Sequence, residues 1–473
     1  MIAPKPIRSY KHIFFLGIGG IGMSAIARWF HVNGYQVGGY DRTPTPLTNT
    51  LQAEGIAIHF TDQVDAIEER FRNPENTLVV VTPAVPANHS EWAYFKQHGY
   101  RILKRSQVLG LLTEEMYLIA VAGTHGKTTT SSMVAHVLKH AERNVAAFLG
   151  GITQNYNTNF LLNQPTEKLR DVWCVVEADE FDRSFLTLYP DVAIVTSTDA
   201  DHLDIYGSGN EVLKSFGDFV SQIKPTGTLY MHNELTLAAH TTASVQEYSF
   251  ESGDFHVENC RIEQARFRFD IVYPGGVCRE IALPVPGFHN AENATAAFAA
   301  CLKAGLTPEE IREGLNTYRG VKRRFEYHIE QPELVYIDDY AHHPTEIAAF
   351  LNSVKALYPD RQVTVVFQPH LFTRTRDFQE GFATALSLAD RLLLLDIYPA
   401  REEPIPGVTS EVIFDKVTIV DKMLIKKEQV VSQLISLPLE IVVTIGAGDI
   451  DTLIQPIRES LLAKLKKQVV ENS

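Results

Sequence analysis

The chain has 473 residues, room for two to four domains at about 100–200 residues each. Hydrophobic residues make up 45% and charged residues 21%, a globular balance that excludes disorder and fibrous architecture. With 43 basic and 57 acidic residues the net charge is −14, which argues against general binding to nucleic acid or an anionic membrane but leaves room for local basic sites. The four cysteines, Cys174, Cys260, Cys278 and Cys301, have no CxxC spacing, so neither a zinc site nor a disulfide framework is expected. Sparse cysteine fits a reducing cytoplasm. Near the N-terminus the apolar run 13–27 is interrupted by Gly17, Gly19, Gly20 and Gly22, so a secretory leader is not expected. No other run approaches the ~18 apolar residues of a membrane span.

The first block, 1–113, alternates apolar strand-like runs (12–16, 36–40, 77–81) with helical stretches, the pattern of an α/β domain with a parallel sheet. Between the first strand and a helix lies Gly17-Ile18-Gly19-Gly20-Ile21-Gly22, and Asp41 ends the next strand about 20 residues on. That spacing is a dinucleotide fingerprint. Glycines let the backbone approach a diphosphate at a helix N-terminus, and the acid holds a sugar hydroxyl. The glycines do not name the nucleotide; on this motif alone an NAD-dependent dehydrogenase is one reading.

The second block, 114–321, opens with the strand run 117–122 and then Gly123-Thr124-His125-Gly126-Lys127-Thr128-Thr129. This is a shortened phosphate loop. Its amides can wrap phosphates, Lys127 can reach the β- and γ-oxygens, and the Thr128 hydroxyl can meet Mg²⁺. Strand runs at 172–176 and 192–196 end in Glu177-Ala178-Asp179-Glu180-Phe181-Asp182 and, a few residues on, Asp201-His202-Leu203-Asp204. Carboxylates at that sheet edge suit Mg²⁺. Residues 228–284 alternate more and carry turn residues, so some antiparallel sheet is expected there, followed by an alanine-rich helix over 290–304. The third block, 322–473, returns to α/β with strand runs at 334–337, 363–367, 391–395 and 440–445 and a Lys-rich tail helix at 457–470. Asp338-Asp339-Tyr340-Ala341-His342-His343-Pro344 and Phe367-Gln368-Pro369-His370 through Arg374 and Arg376 follow two of these strands. Clustered His and Arg there suit an anionic substrate. Arg323-Arg324 at the block boundary would clamp a transferring phosphate.

Along nearly its whole length, and in order, the chain resembles the Mur ligases of peptidoglycan synthesis. The strings are GIGGIGMSA (17–25), GTHGKTTT (123–130), EADEFDRSFL (177–186), DADHLDIY (199–206), PGFHNAENATAA (286–297), KRRFE (322–326), DDYAHHPTEI (338–347) and FQPHLFTRTRDF (367–378). YPAREEPIPGV (398–408) and GAGDI (446–450) extend the match. The third-block strings are most similar to the branch that adds L-alanine.

The resemblance implies three α/β domains: a Rossmann-like UDP-sugar-binding domain (1–113), a central P-loop ATP- and Mg-binding domain with some antiparallel sheet (114–321) and a Rossmann-like amino-acid-binding domain (322–473). It implies ATP-dependent joining of L-alanine to the lactyl carboxylate of UDP-N-acetylmuramate through an acyl phosphate, with Mg²⁺ as cofactor. The expected setting is cytoplasmic, without nucleic-acid or membrane partners, as monomer or homodimer. The sugar nucleotide would meet Gly17, Gly19, Gly20, Ile21, Gly22, Asp41 and Ala84. ATP would meet Gly123 to Thr129, with His289, Asn290 and Asn293 near its adenine, Arg324 at its phosphates and Asp338 at its ribose. Thr128, Glu177 and His202 would hold magnesium. Lys127, Glu177, His202, Arg324 and His342 carry the catalytic expectation; Tyr340, His342 and Arg374 would contact the muramoyl and alanyl parts. The residues do not single out a base for the alanine ammonium, with His342 and His343 as candidates. The alternative within the family is a recycling ligase that adds a tripeptide to the same sugar nucleotide. Three places depart from the family pattern: Thr82-Pro83-Ala84-Val85 at the uridine turn, Thr196-Ser197 for Thr-Asn, and Leu371 for Arg.

Overall fold

The computed structural model describes residues 5–86, 88–163, 168–199, 206, 208–264, 266–400 and 402–471. The first sheet is built from β1 (His12–Leu16), β2 (Gln36–Tyr40), β3 (Ala57–His59), β4 (Thr77–Val81) and β5 (Arg101–Lys104), in the order β3-β2-β1-β4-β5 and parallel throughout. Helices α1 (Ile21–Val32), α2 (Pro46–Ala53) and α3 (Ser90–Gln97) lie in crossovers, and α4 (Arg105–Thr113) follows the last strand. β4 is buried along its length, as a strand covered on both faces must be. Strand order reverses at β1 and β4, so the glycine loop after β1 opens into the crevice where such sheets take ligands.

The second sheet contains β6 (Tyr117–Ala122), β7 (Val145–Thr153), β8 (Thr158–Leu162), β9 (Trp173–Glu177), β10 (Val192–Val195), β11 (Thr228–His232) and β12 (Ser244–Tyr248). Its order is β12-β11-β10-β6-β9-β7-β8, parallel except for β8. Helices α5 (Lys127–His140) and α6 (Gly209–Ser221) belong to it. The antiparallel sheet expected within 228–284 falls later in that span than its start. β11 and β12 join the parallel sheet, and β13 (His256–Glu263), β14 (Arg266–Tyr273) and β15 (Gly276–Leu283) form a three-stranded sheet in chain order. Their two-residue connections suit only antiparallel neighbours. α7 (Phe288–Lys303) and α8 (Pro308–Thr317) follow.

The fourth sheet runs β16 (Glu326–Glu330), β17 (Val335–Asp339), β21 (Ile441–Ile445), β18 (Val363–Phe367), β19 (Arg391–Leu394), β20 (Lys422–Leu424), with only β16 antiparallel. The last strand inserts between β17 and β18, so three chain segments deliver loops to neighbouring points of one edge. Helices α9 (Pro344–Leu357), α10 (Phe372–Leu386), α11 (Val430–Ser436) and α12 (Ile454–Glu471) complete it.

Packing divides the chain into two compact units: 1–259, 269–281 and 292–318 form one, and 260–268, 282–291 and 319–473 the other. The first two sheets thus share a unit. A continuous apolar cluster runs from Ile13 and Phe15 through Phe148 and Phe160 to Phe216 and Phe219. Polar bonds reinforce it. Arg28 on α1 is buried, pairs with Glu54 at 2.7 Å and donates to Asn159 of β8. Asn159, fully buried, donates in turn to the Ile21 carbonyl (2.5 Å) and Ser24 Oγ (2.9 Å). Buried polar groups must be paired, and these pairs fix the helix behind the first glycine loop against the second sheet. Among the described residues no helix is long and apolar enough to cross a membrane.

Candidate active site

The second glycine loop sits between β6 and α5, both straightforward products of the sequence: a β-branched apolar run, then glycines, then a helix-forming stretch. Gly123 has φ +137°, and a Cβ there would stand 2.0 Å from Thr196 Oγ1 and 2.9 Å from the Ser197 amide. Only glycine fits. Thr196 and Ser197, just past the neighbouring strand β10, brace the loop. Ser197 Oγ accepts from the His125 amide (2.9 Å) and shares a hydrogen bond with Thr124 Oγ1 (2.8 Å), while the Ser197 carbonyl accepts from the Thr124 amide (3.2 Å). The departure from the family's Thr-Asn pair is therefore a working contact. Asn293, expected near the adenine, accepts from Thr130 Oγ1 at 3.1 Å and faces Gly126.

Lys127 begins α5. Its ammonium donates to the carbonyls of Gly123 (2.6 Å) and Thr124 (3.4 Å) and to Glu180 Oε1 (2.9 Å), with Glu180 Oε2 in ion-pair contact at 2.8 Å. Glu180 is buried, and the Tyr206 hydroxyl donates to its carbonyl at 2.6 Å. Burial alone would push the Lys127 pKa down; the charges of Glu180, Glu177 and Asp179 overcome it and hold the ammonium above the ordinary lysine value. Glu177 ends β9, in register with Val121 of β6, and one of its oxygens accepts the Gly150 amide at 3.0 Å. Thr128, on the first turn of α5, is buried. A hydroxyl and a carboxylate at one sheet edge are hard oxygen donors. They suit Mg²⁺, which takes one or two protein oxygens and completes its shell with water and phosphate. His202, the third expected ligand, lies outside the described residues. His125 pairs with Asp199 at 3.1 Å.

The first glycine loop has a different chemistry. Asp41 Oδ2 accepts the Gly19 amide at 2.7 Å, and a Cβ on Gly19 would fall 2.8 Å from that oxygen. The expected acid thus reaches the loop itself. Gly17 lies against Thr82 of the departing uridine turn, and Ala84 is exposed. No cation belongs to this loop. One comes from α4: Arg105, whose Nη1 stands 2.4 Å from the place a Cβ on Gly22 would occupy and whose Nη2 pairs with Asp179 at 3.2 Å. Gly22, Ile26, Arg105, Gly150, Glu177 and Asp179 help line a cavity of about 110 Å³. A larger cavity of about 390 Å³, beside Phe14, Ile58 and Phe71, touches none of the expected site residues.

In the other compact unit the loops after β17, β18 and β21 assemble a second cluster. Arg323 and Arg324 lie 5.2 and 5.1 Å from the Tyr340 ring. Arg323 is committed to the fold: it pairs with Asp338 (3.0 Å) and donates to the Gly446 carbonyl (2.6 Å). Arg324 stands 3.8 Å from Glu346 and keeps more of its side chain in solvent. Asp338, expected at the ATP ribose, is fully buried. Its two oxygens accept from Arg323 Nε and Thr444 Oγ1 (2.6 Å). Asp339 accepts the amides of Phe325 (2.8 Å) and Ala341 (2.8 Å), and burial pushes its pKa up to about 6. His342 packs near His370, which stacks on Tyr398 at 5.8 Å. His343 caps α9 and sits against Phe378. Arg374, in the first turn of α10, is buried. Asn290 is buried and donates to the Pro286 carbonyl (2.7 Å), beside half-buried His289.

Family models match three consecutive segments: the catalytic domain of the Mur ligase family over 12–117, the Mur ligase middle domain over 121–301, and the Mur ligase glutamate ligase domain over 323–448. The chain belongs to the Mur ligase family. A relative from Parabacteroides distasonis named UDP-N-acetylmuramate–L-alanine ligase is 48% identical over 464 residues, 98% of this chain and 99% of its own. The solved UDP-N-acetylmuramate-alanine ligase of Thermotoga maritima is 30% identical with a TM-score of 0.78, covering 96% of this chain and 99% of that one. A murein peptide ligase from Psychrobacter arcticus shares the fold at 24% identity and a TM-score of 0.68, over 95% and 98%.

In this Mur ligase the first matched segment carries the five-stranded sheet, the second most of the seven-stranded one and the third the six-stranded one. The α/β class and the three consecutive Mur ligase segments agree with the sequence reading. The structure gathers Gly123 to Thr129, Glu177 and Asn293 around one loop, and Arg324, Tyr340 and His342 around another. Four participants escaped sequence reasoning: Glu180 as partner of Lys127, Arg105, the brace Thr196-Ser197, and Arg323 as partner of Asp338. The signals were there, in the acidic run, the Lys104-Arg105 pair at the junction of β5 and α4, the Thr-Ser departure and the double arginine. None of them says which residue meets which.

Proposed function

We propose that this Mur ligase joins L-alanine to the lactyl carboxylate of UDP-N-acetylmuramate, using ATP, in the making of peptidoglycan precursors in the cytoplasm. The observation that carries the reading is a phosphate loop whose half-buried lysine is paired with a buried carboxylate at the same sheet edge as Glu177, in one compact unit with a glycine loop suited to a diphosphate. A dehydrogenase has no task for Lys127 or for the acidic strand end.

Forming an amide from a carboxylate needs activation. The lactyl carboxylate oxygen attacks the γ-phosphorus of ATP, the bond to the β-bridging oxygen breaks, and ADP leaves an acyl phosphate behind. The alanine amine then attacks the acyl carbon, loses a proton, and the tetrahedral species expels phosphate. No side chain need act as nucleophile. The protein's work is alignment and charge neutralisation. The amides of the loop and the N-terminus of α5 cradle phosphate, and Lys127 offsets its charge. Arg324 is the boundary arginine for the phosphates, because Arg323 is spent on Asp338. Asp338 keeps a ribose role only by giving up one of its partners. Thr128 and Glu177, with His202, would hold magnesium, which when bound supplies Lewis-acid neutralisation of the phosphates. Arg105 supplies the sugar nucleotide's anionic part with the cation that the first loop lacks. Tyr340, His342 and Arg374 serve the muramoyl and alanyl groups.

The deciding experiment measures phosphate release from ATP with UDP-N-acetylmuramate and, separately, L-alanine, L-serine, glycine and the tripeptide. Release is expected with L-alanine. Smaller release with serine or glycine fits a pocket that discriminates by about 1–3 kcal/mol per methyl group. Release with the tripeptide alone, or NAD reduction without ATP, overturns the proposal.

A further inference from the structure

Lys127 and Glu180 form a closed arrangement that the reaction as derived leaves unused. A protonated lysine has three N–H donors. Here they go to the Gly123 carbonyl, the Thr124 carbonyl and Glu180 Oε1, with Glu180 Oε2 in ion-pair contact at 2.8 Å. All three are engaged within the loop and its neighbour, so a phosphate arriving at the loop meets a lysine already satisfied. Glu180 is in a poor position to follow a departing lysine. Its side chain is buried, and its backbone is tied by the Tyr206 hydroxyl and by the turn bond from the Arg183 amide to the Glu180 carbonyl (2.9 Å). Lys127 is the member that can move, on four rotatable bonds.

The neighbouring residue of the same turn repeats the arrangement. Asp179 pairs with Arg105, the other cation set aside for an anionic substrate, at 3.2 Å. Asp179 is itself anchored, since its Oδ1 accepts the Phe181 amide at 3.0 Å. Two consecutive anchored carboxylates thus stand where anionic ligands would otherwise satisfy two cations.

We infer that Glu180 is the positioning residue of the phosphate-loop lysine: it takes the place of nucleotide phosphate in the resting enzyme, keeps Lys127 folded onto its own loop, and surrenders it when the nucleotide binds. The inference rests on the ATP-binding reading of the loop. Its cost is built into binding, because nucleotide phosphate has to displace a buried carboxylate before it gains the lysine. Removing the charge at 180 therefore frees the lysine for phosphate and tightens nucleotide binding, although it destabilises the empty protein.

The test uses the full chain with MgCl₂ and either ADP or a non-hydrolysable ATP analogue, with affinities from calorimetry and melting temperatures in parallel. Glu180→Gln is expected to melt lower than the parent without nucleotide, to bind nucleotide about 5- to 10-fold more tightly, a range typical of removing one competing charged contact, and to show a larger nucleotide-induced rise in Tm. In turnover, KM for ATP falls and kcat does not rise. In a Lys127→Ala background the same substitution is expected to change nucleotide affinity by less than about twofold, since the pair is already broken. A merely structural role lowers Tm without tightening binding. Equal or weaker binding by Glu180→Gln overturns the inference, as does an equal gain in the Lys127→Ala background. Should Glu180→Gln not fold, Glu180→Asp withdraws the carboxylate by one methylene and is expected to shift affinity in the same direction by a smaller factor; weaker binding there also overturns it. Failure of the parent chain to bind nucleotide would sink the ATP reading itself, a result separate from any of these.

Discussion

The two glycine loops of the first compact unit meet one problem by different means. Each follows a parallel strand, opens a helix and is suited to a diphosphate or triphosphate. The loop after β6 carries its own cation, Lys127, and the fold answers by burying Glu180 against it. The loop after β1 carries none. An acid, Asp41, accepts from its Gly19 amide, and its cation arrives from a different helix as Arg105. A loop with a built-in charge must be neutralised when empty, so it needs a buried counter-ion close by. A loop with a borrowed charge stays neutral but depends on a neighbouring helix being held in place. The helices behind them differ in the same way. α1 is tied outward by Arg28 to Glu54 and Asn159, whereas α5 buries a neutral His136 bonded to Tyr156 and Thr317.

The largest expected effect removes the built-in charge. Lys127→Ala should lower ADP production at least about 1,000-fold, as loss of a phosphate-neutralising cation does, while binding of UDP-N-acetylmuramate by calorimetry stays within about twofold. Loss of sugar-nucleotide binding as well would break the comparison, because the two loops would then not be separate ligand sites.

Next comes the backbone. Gly123→Ala puts a Cβ 2.0 Å from Thr196 Oγ1 at φ +137°, and we expect a loss of about 3 kcal/mol in denaturant unfolding. Acid sharpens the contrast between the helices by a similar amount. Burial, aided by His140, lowers the His136 pKa to about 4 from 6.5. Above pH 6.5 the group is neutral folded or unfolded. As the pH falls from 6.5 to 4 the unfolded chain takes up a proton that the folded one refuses, so stability declines by up to about 3 kcal/mol. His136→Gln should flatten that decline; an unchanged acid profile would refute it.

Arg105→Ala is expected to weaken sugar-nucleotide binding about tenfold, the worth of one charge-assisted contact, with nucleotide affinity nearly unchanged. The smallest effect is Gly20→Ala, in the first loop. It has ordinary backbone angles and no neighbour closer than 3.6 Å, so its unfolding midpoint should move by no more than about 0.5 kcal/mol. A large loss there would mean that position 20 is as confined as its crowded neighbours Gly19 and Gly22.

Much of this was legible in the residues. The strand runs at 12–16, 36–40, 77–81, 117–122 and 363–367 coincide with observed strands, since a parallel strand buried on both faces must be a short apolar, β-branched run. The tail helix was anticipated to within three residues. β7 and β8 were not: Gly150-Gly151 interrupts the run that becomes β7, and Asn159, a polar residue that looks like a loop residue, is a buried bonding partner. The functional strings placed Lys127, Glu177 and Asn293 at one loop. Pairing was out of reach, because Lys127 with Glu180 and Arg28 with Asn159 are contacts across 53 and 131 residues that no local pattern encodes. Adjacent identical residues were equally opaque. Nothing in Arg323-Arg324 or Asp338-Asp339 tells which member meets which partner: both aspartates are buried, Asp338 taking Arg323 and Thr444 and Asp339 the amides of Phe325 and Ala341.

Asn159 also governs how this chain can be dissected. A gene cut after residue 113 looks natural on sheet boundaries, yet it would strip the Ile21 carbonyl, the Ser24 hydroxyl and the Arg28 guanidinium of their shared partner and lay bare the apolar cluster around Ile26. The isolated N-terminal fragment should be poorly soluble. A fragment ending near 318 keeps that seam whole. For swapping parts between relatives, the first two sheets are therefore a single module, and chimeras that divide them must carry residues 28 and 159 from the same parent.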